Sequence, residues 1–119
     1  MSRDRRLRAS DEFRLVYAKG RRYDTRWFTV FIYPRGWANH RLGVTASSKA
    51  VGSAVDRNRA KRILREMFRL SADELEIMTL KYDWVLNAKR SLFVSNAEGR
   101  TAEFRKLIQQ IGKSEVSAN

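Results

Sequence analysis

The 119 residues of the chain are the length of one domain, with little left over for a second. Hydrophobic residues make up 43% and aromatics 11%, enough for a packed core, while 25 Lys and Arg against 13 Asp and Glu leave a net charge of +12. That balance sets aside an ordinary neutral metabolic enzyme and favours a polyanionic partner.

Arginines outnumber lysines 18 to 7, and guanidinium is the cation suited to two-pronged phosphate contacts and to stacking on bases. There is no Cys, which excludes a disulfide framework, thiolate zinc sites and a cysteine nucleophile together. The single His40 excludes a multi-histidine metal site. No apolar run approaches the ~18 residues of a membrane span, and no signal-peptide core follows the basic start. The expected compartment is the cytoplasm, with no membrane partner.

In chain order, Arg3, Arg5, Arg6 and Arg8 stand against Asp4 in residues 1–8, which predicts a basic arm that is mobile until it meets a polyanion. Ser10 fits an N-cap, with Asp11 and Glu12 in the first turn where the helix dipole favours anions. Phe13, Val16 and Tyr17 follow at helical spacing and Gly20 fits a stop, so a short helix is expected over about 11–19. Residues 27–33 read WFTVFIY, a run of aromatic and β-branched residues that suits a strand. Pleating puts Phe28, Val30 and Ile32 on a purely apolar face and Trp27, Thr29, Phe31 and Tyr33 on a mixed one. Pro34 and Gly36 open a loop to His40. A strand over 42–46 follows, antiparallel to the first if the loop closes as a hairpin.

Ser53-x-x-Asp56 fits a capping box ahead of a long helix reaching about Leu70. A third strand is expected over 82–88. Ser95-x-x-Glu98 fits a second capping box. Phe104, Leu107, Ile108 and Ile111 line one face of a last helix, with Gly112 past its end and a frayed tail over 113–119. No repeat or linker interrupts the chain, which predicts a single α+β domain over 1–119.

The long helix carries the strongest signal. Its sequence, SAVDRNRAKRILREMFRL, gathers Ala60, Ile63, Leu64, Met67 and Phe68 on one side. Asn58, Lys61, Arg62, Arg65 and Arg69 lie opposite, with Arg57 at the seam and Arg59 further round. Arg57, Lys61, Arg65 and Arg69 step by four residues, roughly 6 Å along the axis, a spacing comparable to successive phosphates on one strand. A helix built for stability alone alternates signs to gain pairs four apart; here only Asp56 and Glu66 interrupt the cations. A membrane-surface helix is disfavoured because a domain this small needs the apolar face for its own core.

The stretch SKAVGSAVDRNRAKRILRE over residues 48–66 resembles the signature of the protein subunit of bacterial ribonuclease P. The marks are Arg57-Asn58-Arg59, Lys61-Arg62 and Arg65-Glu66, preceded by Ser48-Lys49, Gly52 and Ala54-Val55. Leu7, Asp11-x-Phe13, Gly20, Arg41-Leu42-Gly43 and Tyr82-Asp83 fall in the family's order as well, so the resemblance spans roughly residues 5–110. It departs from the pattern at Ala50, where a second lysine is common, and at Asn87 and Lys89, where an apolar residue and an arginine are usual.

The resemblance implies an α/β sandwich in the order α-β-β-β-α-β-α, similar to the second domain of ribosomal protein S5. It implies removal of the 5′ leader from precursor tRNA, with the catalytic centre and its Mg²⁺ ions in an RNA subunit and no catalytic residue in the protein. The expected partners are ribonuclease P RNA and the precursor tRNA leader, with the protein a monomer in the ribonucleoprotein. Lys49, Arg57, Asn58, Arg59, Lys61, Arg62, Arg65 and Arg69 are the RNA-binding candidates. Phe13, Tyr17, Phe31, Thr45, Lys89 and Arg90 are the candidates for a leader cleft, although rings at helical spacing also suit core packing.

Two other readings stand beside this one. A non-catalytic ribosomal or RNA-assembly protein would use the same basic helix, and a protein nuclease would need its own site. The residues offer little to the latter. Only His40 is an obvious acid–base group, and carboxylates such as Asp73, Glu74 and Glu76 read as a solvated turn rather than a two-metal site.

Overall fold

The computed structural model describes residues 5–117 as one α+β domain built around a four-stranded sheet. Its elements are α1 (Ser10–Lys19), β1 (Arg21–Asp24), β2 (Phe28–Pro34), β3 (Arg41–Thr45), α2 (Ser48–Val51), α3 (Ala54–Leu70), α4 (Ala72–Glu76), β4 (Tyr82–Ala88) and α5 (Ala97–Ser117). A 3-10 turn over Arg90–Val94 joins β4 to α5. The expected succession of helix, three strands, helix, strand, helix is present, with α2 and α4 as short additions.

Strand order is β1-β2-β4-β3. β2 pairs antiparallel with β1 and β4, while β3 runs parallel to β4. This corrects the expected hairpin: β2 and β3 are not neighbours, because β4 lies between them. The parallel partnership requires the long connection that α2, α3 and α4 supply. β4 is buried along nearly its whole length, as a central strand covered on both faces must be.

Pleating sorts the strands as their alternation predicts. Phe28, Val30 and Ile32 join Trp84, Leu86 and Leu42 in the main core beneath α3 and α5. On the other face Phe31 and Tyr33 pack with Leu7, Val16 and Val85 under α1. The rings of Phe28, Phe68, Trp84 and Phe104 meet edge-on or tilted, with centroids 5.5–6.2 Å apart, the favoured geometry for aromatic pairs.

Helix ends show where local signals were outvoted. The N-cap of α1 is Ala9, one residue before the expected Ser10, because the Glu12 carboxylate accepts hydrogen bonds from the Arg8 and Ala9 N–H groups. Gly20 does end this helix, in extended rather than left-handed backbone. Glycine is needed for space: a Cβ there would lie 2.4 Å from the Val16 carbonyl oxygen and 2.5 Å from that of Ile32. Ser53 caps α3 by accepting from the Asp56 N–H at 3.2 Å. In α5 the capping side chain is Asn96 rather than Ser95, its Oδ1 accepting from the Gly99 N–H.

Gly112 does not end α5. The helix continues to Ser117, held by Glu115, whose buried carboxylate accepts from the Tyr82 hydroxyl at 2.6 Å and the Thr79 N–H at 3.0 Å. Of the predicted basic arm, residues 1–4 lie outside the described residues. Leu7 is buried, and its N–H donates to the Leu42 carbonyl at 3.0 Å.

Candidate nucleic-acid interface

Two surfaces gather the candidate residues. The first is α3 with the turn that precedes it. Ala60, Leu64, Met67 and Phe68 are buried against the sheet and α5, so the opposite arc faces solvent. On that arc Asn58, Arg59, Arg62 and Arg69 are exposed, and Arg57, Lys61 and Arg65 are half-buried. Lys49 is exposed on α2.

Not all of these cations are equally available. Arg57 donates through Nη1 to the Gly52 carbonyl at 2.9 Å, and Arg90 donates through Nη1 to the Val51 carbonyl at 2.5 Å. Together they brace the α2–α3 turn, where Gly52 has a φ of 110° that side chains rarely adopt. The guanidinium of Arg59 lies 5.1 Å from the Phe93 ring centroid, a cation–π contact. Arg69 is occupied by Glu66, one turn back. Arg62 makes no hydrogen bond or ion pair among the described residues, and neither does Lys61. The free end of the cationic row is therefore its middle.

The second surface lies between α1 and the sheet. Tyr17, 39% exposed, meets Phe31 edge-on with centroids 4.8 Å apart. The Tyr17 hydroxyl donates to Asn87 Oδ1 at 2.9 Å, and the Thr45 hydroxyl donates to the same oxygen at 2.5 Å. The Phe13 ring packs over Gly43, where a Cβ would stand 2.5 Å from two of its ring carbons. Phe13, Tyr17 and Thr45 line an open groove of about 450 Å³, flanked by Arg8 and Arg14. Arg22 adds a guanidinium 5.8 Å from the Phe31 centroid.

Four of the six leader-cleft candidates, Phe13, Tyr17, Phe31 and Thr45, thus come together. The other two do not join the rings. Lys89 pairs with Asp24 at 2.8 Å and donates to the Thr25 carbonyl at 2.6 Å, fixing the end of β1. Its hydrogen bond is the main reason that the Asp24 carboxyl sits below its ordinary pKa. Arg90 belongs to the α2–α3 turn. The sequence marks Asn87 only as a departure and Arg8 only as part of the basic arm, and Arg14 goes unmarked, although Ser10, Phe13, Arg14 and Tyr17 share one helical face by spacing.

His40 is absorbed by the core. It is buried, its Nε2–H donates to the Leu75 carbonyl at 2.9 Å, and its Nδ1 accepts from the Tyr82 N–H and Trp84 Nε1–H, both at 3.0 Å. Burial pushes its pKa below the ordinary value, so a neutral ring fills a structural role. Several carboxylates are likewise engaged singly: Asp83 by Arg41, Glu74 by Arg105, Glu66 by Arg69. Among the described residues no three His, Asp or Glu side chains gather as a metal site. No helix among them is long and apolar enough to cross a membrane.

A basic helix on one side of a small sheet, and a ring-lined groove flanked by arginines on the other, define an RNA-binding protein. The comparisons with known proteins narrow that class. The chain belongs to the ribonuclease P protein family, whose model, Ribonuclease P, matches residues 1–112.

Among its relatives, the ribonuclease P protein component of Desulfovibrio desulfuricans is 45% identical over 78 residues, 65% of this chain and 60% of that protein. The Clostridium botulinum (strain Langeland) component is 39% identical over 89 residues, covering 75% and 78% of the two chains. The chain thus spans less than two thirds of the first of these relatives. The Staphylococcus aureus RNase P protein superposes with a TM-score of 0.69 at 26% identity, over 92% of this chain and 95% of that one. The Thermotoga maritima RNase P protein shares the fold, with a TM-score of 0.74 at 24% identity over 88% and 96%.

Proposed function

We propose that the chain is the protein subunit of a cytoplasmic ribonuclease P ribonucleoprotein that removes the 5′ leader from precursor tRNA. In this reading α3 binds the ribonuclease P RNA and the groove beside α1 holds the single-stranded leader. The observation that carries it is the pairing of two unlike surfaces on one small domain: unneutralised arginine on α3, and the Tyr17–Phe31 ring pair beside Arg22 on the far face of the sheet. Phosphate attraction suits a structured RNA of any sequence, whereas exposed rings beside cations suit unpaired bases.

The chemistry belongs to the RNA subunit. Both ring nitrogens of His40 are committed to the core, and among the described residues the carboxylates do not converge as ligands. In this reading the Mg²⁺ ions that assist cleavage are held mainly by the RNA. What this chain contributes is charge neutralisation and placement of the leader.

Reconstitution tests the reading. Purified protein is mixed with a ribonuclease P RNA and precursor tRNA at low Mg²⁺, and leader removal is measured. The protein is expected to stimulate cleavage, and no stimulation at any ionic strength overturns the proposal.

A further inference from the structure

A cavity of about 640 Å³ lies between the N-terminal segment and α3, on the side of the molecule away from the leader groove. Its rim carries Arg5 and Arg6 from the segment and Arg62 and Arg65 from α3; Phe68 and Leu75 lie at its floor. The volume falls within the range of small-molecule sites.

Its charge is one-sided. Among the described residues Arg6, Arg62 and Arg65 have no carboxylate within ion-pair distance. Glu66, on the same rim, is taken up by Arg69, which leaves Glu76 as the one rim carboxylate outside an ion pair among the described residues. Partial burial, and then the neighbouring charge of Arg6, lower the pKa of Arg65. Two guanidinium groups held near each other with no acceptor between them suit an anion; their forks match carboxylate and phosphate alike, and phosphate is the one an RNA supplies. Charge alone does not account for the floor. Phe68 and Leu75, with the aliphatic stems of the arginines, make a greasy slot that phosphate leaves unfilled.

We propose that this cavity is a mononucleotide pocket: one unpaired nucleotide of the partner RNA enters it, its phosphate on Arg6 and Arg65 and its base against Phe68 and Leu75. The Arg5 guanidinium is held by Asn39 Oδ1 at 3.1 Å, and the Leu7 bond to Leu42 fixes the segment on the sheet. The wall of the pocket is thus attached to the fold. The inference rests on an RNA partner but not on the leader groove, whose failure would leave it standing.

The test titrates adenosine monophosphate, ribose 5-phosphate and inorganic phosphate into the full chain, following the Ala72 methyl and the His40 ring by NMR. A base that stacks in the slot makes the nucleotide bind at least about fivefold tighter than ribose 5-phosphate. Ala72→Trp, at an exposed rim position, is expected to remove that advantage, and Arg6→Gln to weaken all three ligands. Ribonuclease P RNA is expected to displace the nucleotide. Equal binding of the three ligands overturns the base slot, as does an Ala72→Trp variant that binds adenosine monophosphate normally. A nucleotide that stays bound when RNA is added overturns the assignment to RNA.

Discussion

Arg41 and Asp83 stand opposite each other in the parallel register of β3 and β4 and close a two-pronged ion pair, with Nε–Oδ1 at 2.8 Å and Nη2–Oδ2 at 2.9 Å. The Asp83 side chain is wholly buried. Arg41 also reaches the Glu12 carboxylate at 2.8 Å through Nη1, so one guanidinium ties two strands to the first turn of α1. Backbone N–H bonds from Arg8 and Ala9, with the Arg41 charge, hold the Glu12 carboxyl below its ordinary pKa despite burial working the other way.

Removing Arg41 leaves Asp83 buried with, among the described residues, only Arg35, 3.9 Å away. Arg41→Leu is therefore expected to cost about 3–5 kcal/mol, the usual effect of stranding one partner of a buried pair. Urea denaturation measures it. A loss below about 1 kcal/mol would place the pair among solvent-screened surface bridges.

His40 gives the fold a pH dependence of definite sign. Its pKa is lowered by burial and by Lys81, against the carbonyl of Leu75 and the charge of Glu76. The unfolded chain then takes up a proton near the ordinary value of 6.5 while the folded chain resists it. Stability falls as pH drops below about 6.5 and levels off once the folded ring is protonated. Carboxylates such as Glu12 act lower, below 4.5. Thermal melts at pH 7.5, 6.5 and 5.5 check this: the melting temperature is expected to fall over the last step, and less in His40→Gln. A rise there would mean that the charged ring is the one the fold prefers. Substitution at His40 is expected to act through stability, since the Tyr82 N–H and Trp84 Nε1–H lose their acceptor.

Arg62 and Arg57 separate binding from bracing. Arg62→Ala removes an exposed cation with no partner among the described residues, so the fold is expected to hold. The log–log salt slope of RNA binding should flatten by roughly 0.7–0.9. Arg57→Ala also frees the Gly52 carbonyl and is expected to lower stability by about 0.5–1.5 kcal/mol. An unchanged salt slope in Arg62→Ala would make that face a merely solvated one.

The contrast between what could and could not be read from sequence is physical. The two faces of β2 and the buried stripe of α3 were legible because each repeats at the period of its own element. β1, with the sequence RRYD, shows no apolar alternation; it is a strand only because β2 offers it a backbone edge. The insertion of β4 between β2 and β3 is decided by pairs such as Arg41 and Asp83, 42 residues apart, which no local pattern encodes. Gly112 looked like a stop, but Ile111 and Glu115 anchor the helix on either side of it. In the groove, the rings of α1 were visible from their spacing. Asn87 was not, because its two hydroxyl partners come from 70 and 42 residues away.

Gly43 connects packing to the groove. A methyl group there would stand 2.5 Å from the Phe13 ring and 3.1 Å from Leu7 Cδ1, and β3 cannot retreat from β4. The ring must swing outward, so Gly43→Ala is expected to cost about 1–3 kcal/mol, the range for overpacking, and to weaken precursor tRNA binding. Denaturation and filter binding on the same variant check both. Unchanged values in the two assays would mean that the ring moves freely and is not a fixed wall.

The groove itself is tested by Tyr17. Its ring is partly exposed and meets Phe31 edge-on, so truncating it removes a stacking platform with little loss of core. Tyr17→Ala is expected to weaken precursor tRNA binding by ~1–3 kcal/mol, the contribution of one base stack. Mature tRNA, which lacks the leader, should bind as before. Tyr17→Phe keeps the ring and removes only the hydroxyl that donates to Asn87, so it should retain most of the affinity. Loss of a core aromatic would instead cost ~3–5 kcal/mol of stability, visible as a large fall in melting temperature. If Tyr17→Ala weakens precursor and mature tRNA equally, the ring serves RNA binding in general and the leader assignment fails. If Tyr17→Phe is as damaging as Tyr17→Ala, the hydroxyl bond to Asn87, not the ring face, is what the groove requires.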